Sequence, residues 1–240
     1  MKINKLLLCA VFAVSTMWLT SCLNGSNSET YSNAYGYVAT SSGVTYVNTS
    51  SGYSVTWDGI SSSELEAGQC IKLSFGIDYT TSGSFYLAQN PSISDPLDSY
   101  TLTAGDPISV IDSNFVTAAS VNMYASTSFF GDNWFLSLTT KVYKGVTVEP
   151  EFYYPTTIAD DFDVDADSVV VNIRLVKSGT ATATTTTSTT SELVVDLTPI
   201  RILFAADASY AGQYIPIYFR YYSALTTKAH TTKSVLYIPS

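Results

Sequence analysis

From residue 34 onward the chain alternates apolar and polar positions in short runs broken by turn residues. Tyr35–Ala39, Val44–Val47, Tyr53–Trp57, Cys70–Tyr79 and Ser84–Ala88 read as strands between Ser42-Gly43, Ser51-Gly52, Asp58-Gly59 and Ser82-Gly83. Ser63-Glu64-Leu65-Glu66 supplies one helical turn before the fourth strand. Five strands with that insertion suit a small barrel of the OB type, and the spacing fits a sandwich as well.

Asn90–Asp98, with Pro91 and Pro96, reads as a domain boundary, and Gly105-Asp106-Pro107 is a second turn close behind it. Strands resume at Ile108–Ile111, Phe115–Tyr124, Trp134–Val142 and Val146–Phe152. Val169, Val171, Ile173 and Leu175 alternate within Asp167–Val176, and Glu192–Leu197, Ile215–Tyr222 and Ser234–Ile238 follow. This half predicts an Ig-like β-sandwich of about seven strands. Between its strands, Ser178–Ser191 is almost wholly Ser, Thr, Ala and Gly, which suits either two extended hairpin strands or a loop. The predicted class is all-β, with residues 34–100 an OB-like barrel and 101–240 a sandwich.

The start of the chain has a different pattern. Lys2 and Lys5 precede an apolar run from Leu6 to Leu19, which ends in Leu19-Thr20-Ser21-Cys22. A cationic start, a short apolar segment and small residues before a cleavage point make a secretory signal over residues 1–21. The run is shorter than the roughly 20 apolar residues that cross a bilayer. The ending resembles the lipobox of bacterial lipoproteins, in which the cysteine thiol takes the diacylglyceryl group. Cys22 is the expected lipidation site, and residues 22–33, rich in Ser and Asn, are the expected tether. Leu23–Glu29 carries a single acid, unlike the acidic cluster that marks surface display in Bacteroidetes lipoproteins. The expected location is therefore the cell envelope, anchored in the outer membrane, with the face left open.

Charge excludes some partners. The formal net charge is −9, and loss of the two leader lysines takes it to −11. No basic stripe is available to replace phosphate counterions, which argues against nucleic acid. Once the leader is removed, Cys70 is the only thiol besides Cys22, so no disulfide closes within the body. Cys70 sits in the apolar strand Cys70–Leu73 and reads as a small buried hydrophobe.

Several short motifs occur in a recognisable order. They are Gly68-Gln69 before a strand, Gly105-Asp106-Pro107-Ile108 at the joint, Gly131-Asp132-Asn133-Trp134 opening an aromatic strand, and the late strand Leu193–Leu197 (Leu-Val-Val-Asp-Leu). With the leader, this order resembles the NigD-like lipoproteins of Bacteroidetes. The resemblance implies an N-terminal OB domain and a C-terminal β-sandwich. It also implies an association with bacteriocin operons, for which an immunity role has been suggested, and no established activity. The chain departs from the family at Cys70, where an arginine is usual, and in carrying one histidine, His230.

Candidate chemistry is sparse. Asp161, Asp163, Asp165 and Asp167 would share one face of a strand and invite calcium, but an EF-type loop beginning at Asp163 fails at Ser168 and Arg174. A solvated acidic loop or edge that discourages strand pairing is the favoured reading of the run. Asp167-Ser168-Val169 fits the Asp-(Ser/Thr)-apolar pattern of Bacteroidetes O-glycosylation, with Ser168 as acceptor. Trp57, Trp134, Tyr153 and Tyr221 are candidates for an aromatic binding surface, but packing is the favoured reading, because aromatics dominate core energetics. His230 lies in a polar turn without a nucleophile elbow, dinucleotide fingerprint or phosphate loop elsewhere. The expectation is a lipid-anchored, non-enzymatic protein without a cofactor, which binds an envelope protein or a glycan. A fimbrial or adhesive subunit is the alternative.

Overall fold

The computed structural model describes residues 28–62, 65–79, 83–105, 116–124, 130–156, 168–224, 227–231 and 233–240. The leader, Cys22 and the Asp161–Asp167 run lie outside them.

The first domain is a closed barrel of β1 (Ser28–Ser41), β2 (Val44–Thr49), β3 (Ser54–Thr56), β4 (Cys70–Asp78) and β5 (Tyr86–Ile93). The strand order is β1-β2-β3-β5-β4, with β4 pairing back on β1. A 3-10 turn at Ile60–Ser62 precedes β4. This is the Greek-key barrel of an OB fold. The helical turn expected at Ser63–Glu66 begins outside the described residues. Alternation on β4 sends Ile71, Leu73, Phe75 and Ile77 inward, where they meet Val38, Val47 and Val55. Gly36 keeps β1 close to its neighbours, since a Cβ there would lie 2.5 Å from Val47 Cγ1.

β1 starts earlier than the sequence pattern indicates. Ser28 pairs with Asp78, so Ser28–Asn33, expected to be tether, belong to the barrel. A register shift between Tyr31 and Ala34, with Asn33 at φ 53°, breaks the alternation there. That bulge hides the strand from a period-two reading.

The second domain comprises β6 (Asp98–Ala104), β7 (Ala118–Tyr124), β8 (Asn133–Tyr143), β9 (Val146–Tyr154), β10 (Val169–Gly179), β11 (Thr186–Asp196), β12 (Tyr214–Ala224), β13 (Thr227–His230) and β14 (Ser234–Tyr237). Their order is β13-β12-β10-β9-β6-β11-β8-β7, with β14 also on β12. β6 turns the corner. Its Asp98–Thr101 half pairs parallel with β11 and its Leu102–Ala104 half pairs parallel with β9. The sheet therefore curls over itself into a two-layered sandwich around Trp134, Leu136, Phe152, Val171, Val195 and Phe219. β6 begins at Asp98, three residues before the expected domain start. The Ser/Thr-rich stretch resolves as the end of β10 through Gly179, a connection over 180–185 and the start of β11. Thr186–Ser191 pairs Tyr143–Leu138 on β8 and β10 pairs β9, so the two strands do not form a hairpin with each other.

Residues 198–205 carry no predicted element, yet Thr198–Ala205 forms the helix α1. Pro199 stands in its first turn, and Ile200 and Phe204, four apart, bury against the core. Arg201 fixes α1 to the start of β8. Its Nε donates to Asp132 Oδ1 at 2.6 Å and Oδ2 at 2.8 Å. At the same corner Thr198 N and Oγ1 donate to Asp196 Oδ1 at 2.8 and 2.6 Å.

Candidate functional site

The interior rows of the sandwich lose bulk and burial toward one end. On β10 the row Ile173–Leu175 continues into Lys177 and Gly179. On β8, Leu136–Leu138 continues into Thr140 and Val142, and on β9, Phe152–Pro150 continues into Val148 and Val146. With less side chain to fill the gap, the layers leave an open cleft of about 700 Å3. Its walls include Val116, Val142, Val146, Tyr143, Lys141 and Lys177, and the end of β12 closes one side at Ser223 and Ala224.

Backbone contacts hold the rim. Thr182 N donates to Lys144 O at 2.8 Å, which ties the chain after β10 to the β8–β9 turn. Gly145 (φ 89°) and Gly179 (φ 86°) cross so closely that a Cβ on Gly179 would sit 2.5 Å from Gly145 O. No aspartate or glutamate among the described residues lines the cleft. Among the described residues, neither Lys141 nor Lys177 makes an ion pair.

A second feature joins the domains. On β1 and β4 the residues facing out of the barrel are Tyr35, Tyr37, Cys70 and Lys72. They pack on Phe130, Phe135 and Val194, on the outer face of the sandwich. The Tyr35 ring lies 4.5 Å from Phe135, and its hydroxyl donates to Glu192 Oε1 at 3.1 Å. Lys72 pairs with the same carboxylate and lies 5.4 Å over the Tyr35 ring. Leu97 N donates to Cys70 O at 2.8 Å, which pins the linker into the joint.

Burial pushes the Cys70 thiol up to about 12. An unfolded thiol titrates near 8.5. The folded chain thus keeps a proton that the unfolded chain releases. This contribution is fully present below about pH 8.5 and fades as pH rises toward 12. Between about pH 8 and pH 10 the wild type is expected to lose about 2 kcal/mol more than Cys70→Ala does, measured by urea unfolding of both.

At the far end of the barrel Tyr31, Tyr53, Tyr79 and Tyr86 close the core. The Tyr53 ring meets Tyr86 at 5.3 Å and Tyr79 at 5.9 Å. Tyr79 Oη donates to Glu29 Oε2 at 2.9 Å, and Tyr31 donates to the same oxygen. These two bonds, Tyr31's foremost, hold the Glu29 carboxyl below its ordinary range. The rings pack on one another and act as a plug.

The expected aromatic surface does not assemble. Trp134 is 0% exposed and Tyr221 9%, both within the sandwich core. Trp57 packs half-buried against the barrel core. Tyr153 lies on the outer face of β9, where its hydroxyl donates to Glu151 Oε2 at 2.9 Å beside Arg174. The four rings thus stand in three separate settings, with Trp134 and Tyr221 taken up by the sandwich core, Trp57 against the barrel core and Tyr153 on the outer face of β9. Ser168, the candidate glycan acceptor, is 6% exposed. The calcium candidates Asp161, Asp163, Asp165 and Asp167 lie outside the described residues, as does the side chain of His230. Among the described residues no group of three or more His, Cys, Asp or Glu side chains is placed to hold a metal.

Sequence reading missed the cleft altogether. Its one visible trace is Lys177, a lysine standing on the interior row of an otherwise apolar alternation.

No protein-family model matches the chain, and no curated protein does. Solved structures do. An uncharacterised protein from Parabacteroides merdae ATCC 43184 is similar at a TM-score of 0.71 and 16% identity, over 87% of this chain and 99% of that one. A candidate lipoprotein from Bacteroides fragilis NCTC 9343 matches at a TM-score of 0.54 and 12% identity, over 88% and 99%. A NigD-like immunity protein from Bacteroides caccae ATCC 43185 is also among the matches, at a TM-score of 0.47 and 16% identity, over 86% and 97%. At such identities the likeness to the first two shows a shared two-domain fold. Among the described residues no helix is long and apolar enough to cross a membrane.

Proposed function

We propose that this chain is an exported cell-envelope lipoprotein of the NigD-like kind, held to the outer membrane through Cys22, whose body binds a ligand or partner without catalysing a reaction. The cleft between the sandwich layers carries the binding part of this reading. It is a formed concavity of the size that takes small ligands, about 300–1,000 Å3, lined by aliphatic side chains and a few polar heads. The Leu19-Thr20-Ser21-Cys22 ending supports the anchor, and the fold shared with a candidate Bacteroides lipoprotein accords with it.

Detergent phase separation of cells fed an alkyne fatty acid tests the anchor. The wild type is expected in the detergent phase and labelled, and Cys22→Ala unlabelled with its leader retained. Label on Cys22→Ala, or wild type found wholly in the aqueous phase with residues 1–21 attached, overturns the reading. Detergent-resistant polymer ladders would instead identify a fimbrial subunit.

A further inference from the structure

We propose that the cleft at the splayed end of the sandwich takes a free single-chain anionic amphiphile, of which a fatty-acid carboxylate is the simplest. This deepens the binding reading above and rests on it.

The occupant's charge follows from the lining. Acids outnumber bases 20 to 11 in the whole chain, yet among the described residues the cleft is lined by Lys177 on the interior row of β10, by Lys141 at its rim on the outer face of β8, and by no acid. Lys177 stands on the interior row directly beyond Ile173 and Leu175, so its stem extends the core surface and its ammonium ends within the opening. Neither ammonium is matched by a carboxylate among the described residues.

The occupant's apolar part follows from Val116, Val142 and Val146, branched side chains that offer a wall without directed hydrogen bonds. Thr117 and Thr180 lie among them, and their hydroxyls can donate to a carboxylate's remaining lone pairs. One anionic head on a flexible hydrocarbon chain satisfies both halves of the site. The rim held by Gly145, Gly179 and Thr182 keeps the opening from collapsing when empty. The net charge of −11 on the processed chain repels an anionic bilayer, which favours a free amphiphile over a lipid still embedded in one.

The test uses residues 22–240 with Cys22→Ser, so that no acyl chain of its own competes, and titrates myristate by calorimetry. One equivalent is expected to bind. Methyl myristate, with the same chain and no charge, is expected to bind about tenfold more weakly or worse. The double variant Lys141→Gln/Lys177→Gln is expected to lose about the same factor while melting at the wild-type temperature. Absence of myristate binding, equal affinity for the ester, or an unchanged constant in the double variant overturns the proposal. So does retention of the protein on phosphatidylglycerol vesicles with no myristate bound, which would move the site to the membrane. A dimer dispersed by Val142→Asp, again with no myristate bound, would assign the cleft to a second copy. None of these results alters the detergent partition of the wild type, so failure here is distinct from failure of the anchor.

Discussion

Trp134→Ala is expected to destabilise the sandwich by about 3–5 kcal/mol, while Trp134→Phe stays within about 1 kcal/mol of wild type. Trp134 is 0% exposed on the interior row of β8, directly opposite Val195 of β11, in the cluster that also holds Ile200 and Phe204 of α1. Truncation leaves a cavity that the two layers and α1 cannot all close. The cost is a large part of the 5–15 kcal/mol that a folded domain has in hand.

Phenylalanine behaves differently because of the indole nitrogen. Among the described residues, Trp134 Nε1 is buried without a hydrogen-bond partner. Removing that unsatisfied donor recovers about 1–3 kcal/mol, against a smaller cavity than alanine leaves. Urea unfolding followed by circular dichroism reads both variants. A phenylalanine variant as unstable as the alanine one would show that the indole nitrogen is not an isolated donor.

Trp134 also shows how far the sequence speaks. Alternation placed β4, β8, β10 and β12 because each has one row committed to an interior and few irregularities. Where a second surface is covered, alternation gives way to unbroken apolar runs. Trp134-Phe135-Leu136 and Leu193-Val194-Val195 are buried on both faces, the even positions of β8 inside the sandwich and Phe135 and Val194 outside it against the barrel. The domain joint was thus written in those runs, and its reading needed the register Leu193↔Leu136 that only the fold supplies.

The short motifs behind the NigD-like resemblance prove to be structural. Asp132 and Asp196, from the Gly-Asp-Asn-Trp and Leu-Val-Val-Asp-Leu stretches, meet at the start of α1, where they hold Arg201 and Thr198. Gly68 takes φ 97° at the turn into β4 and Gly105 φ 113° after β6. Three features stayed illegible for separate reasons. α1 is two turns long and apolar on most sides, so it shows no helical period. β1 is interrupted by its bulge. The cleft arises where side chains run out, and a sequence does not display missing volume.

Phe135→Ala is expected to uncouple the domains rather than unfold either one first. Phe135 is 1% exposed, yet it belongs to neither interior. Its ring contacts Tyr35 at 4.5 Å and Phe130 at 5.1 Å, and it packs beside Cys70 and Val194. Truncation costs about 3–5 kcal/mol, and the loss falls on the joint. The polar part of the joint is weaker. Lys72 and Glu192 are 25% and 32% exposed, so Lys72→Ala is expected to cost only about 0.5–1 kcal/mol. Each domain carries its own reporter, Trp57 in the barrel and Trp134 in the sandwich. In the wild type the two are expected to unfold at one urea midpoint, since unfolding of either domain removes the joint that stabilises the other. In Phe135→Ala, followed with Trp57→Phe and Trp134→Phe backgrounds to separate the signals, two midpoints are expected. A single coincident transition would show that the domains unfold together without the apolar joint. Coupling would then have to reside in the linker at Leu97 and the Tyr35–Glu192–Lys72 contacts, which at their exposure are too weak to supply it.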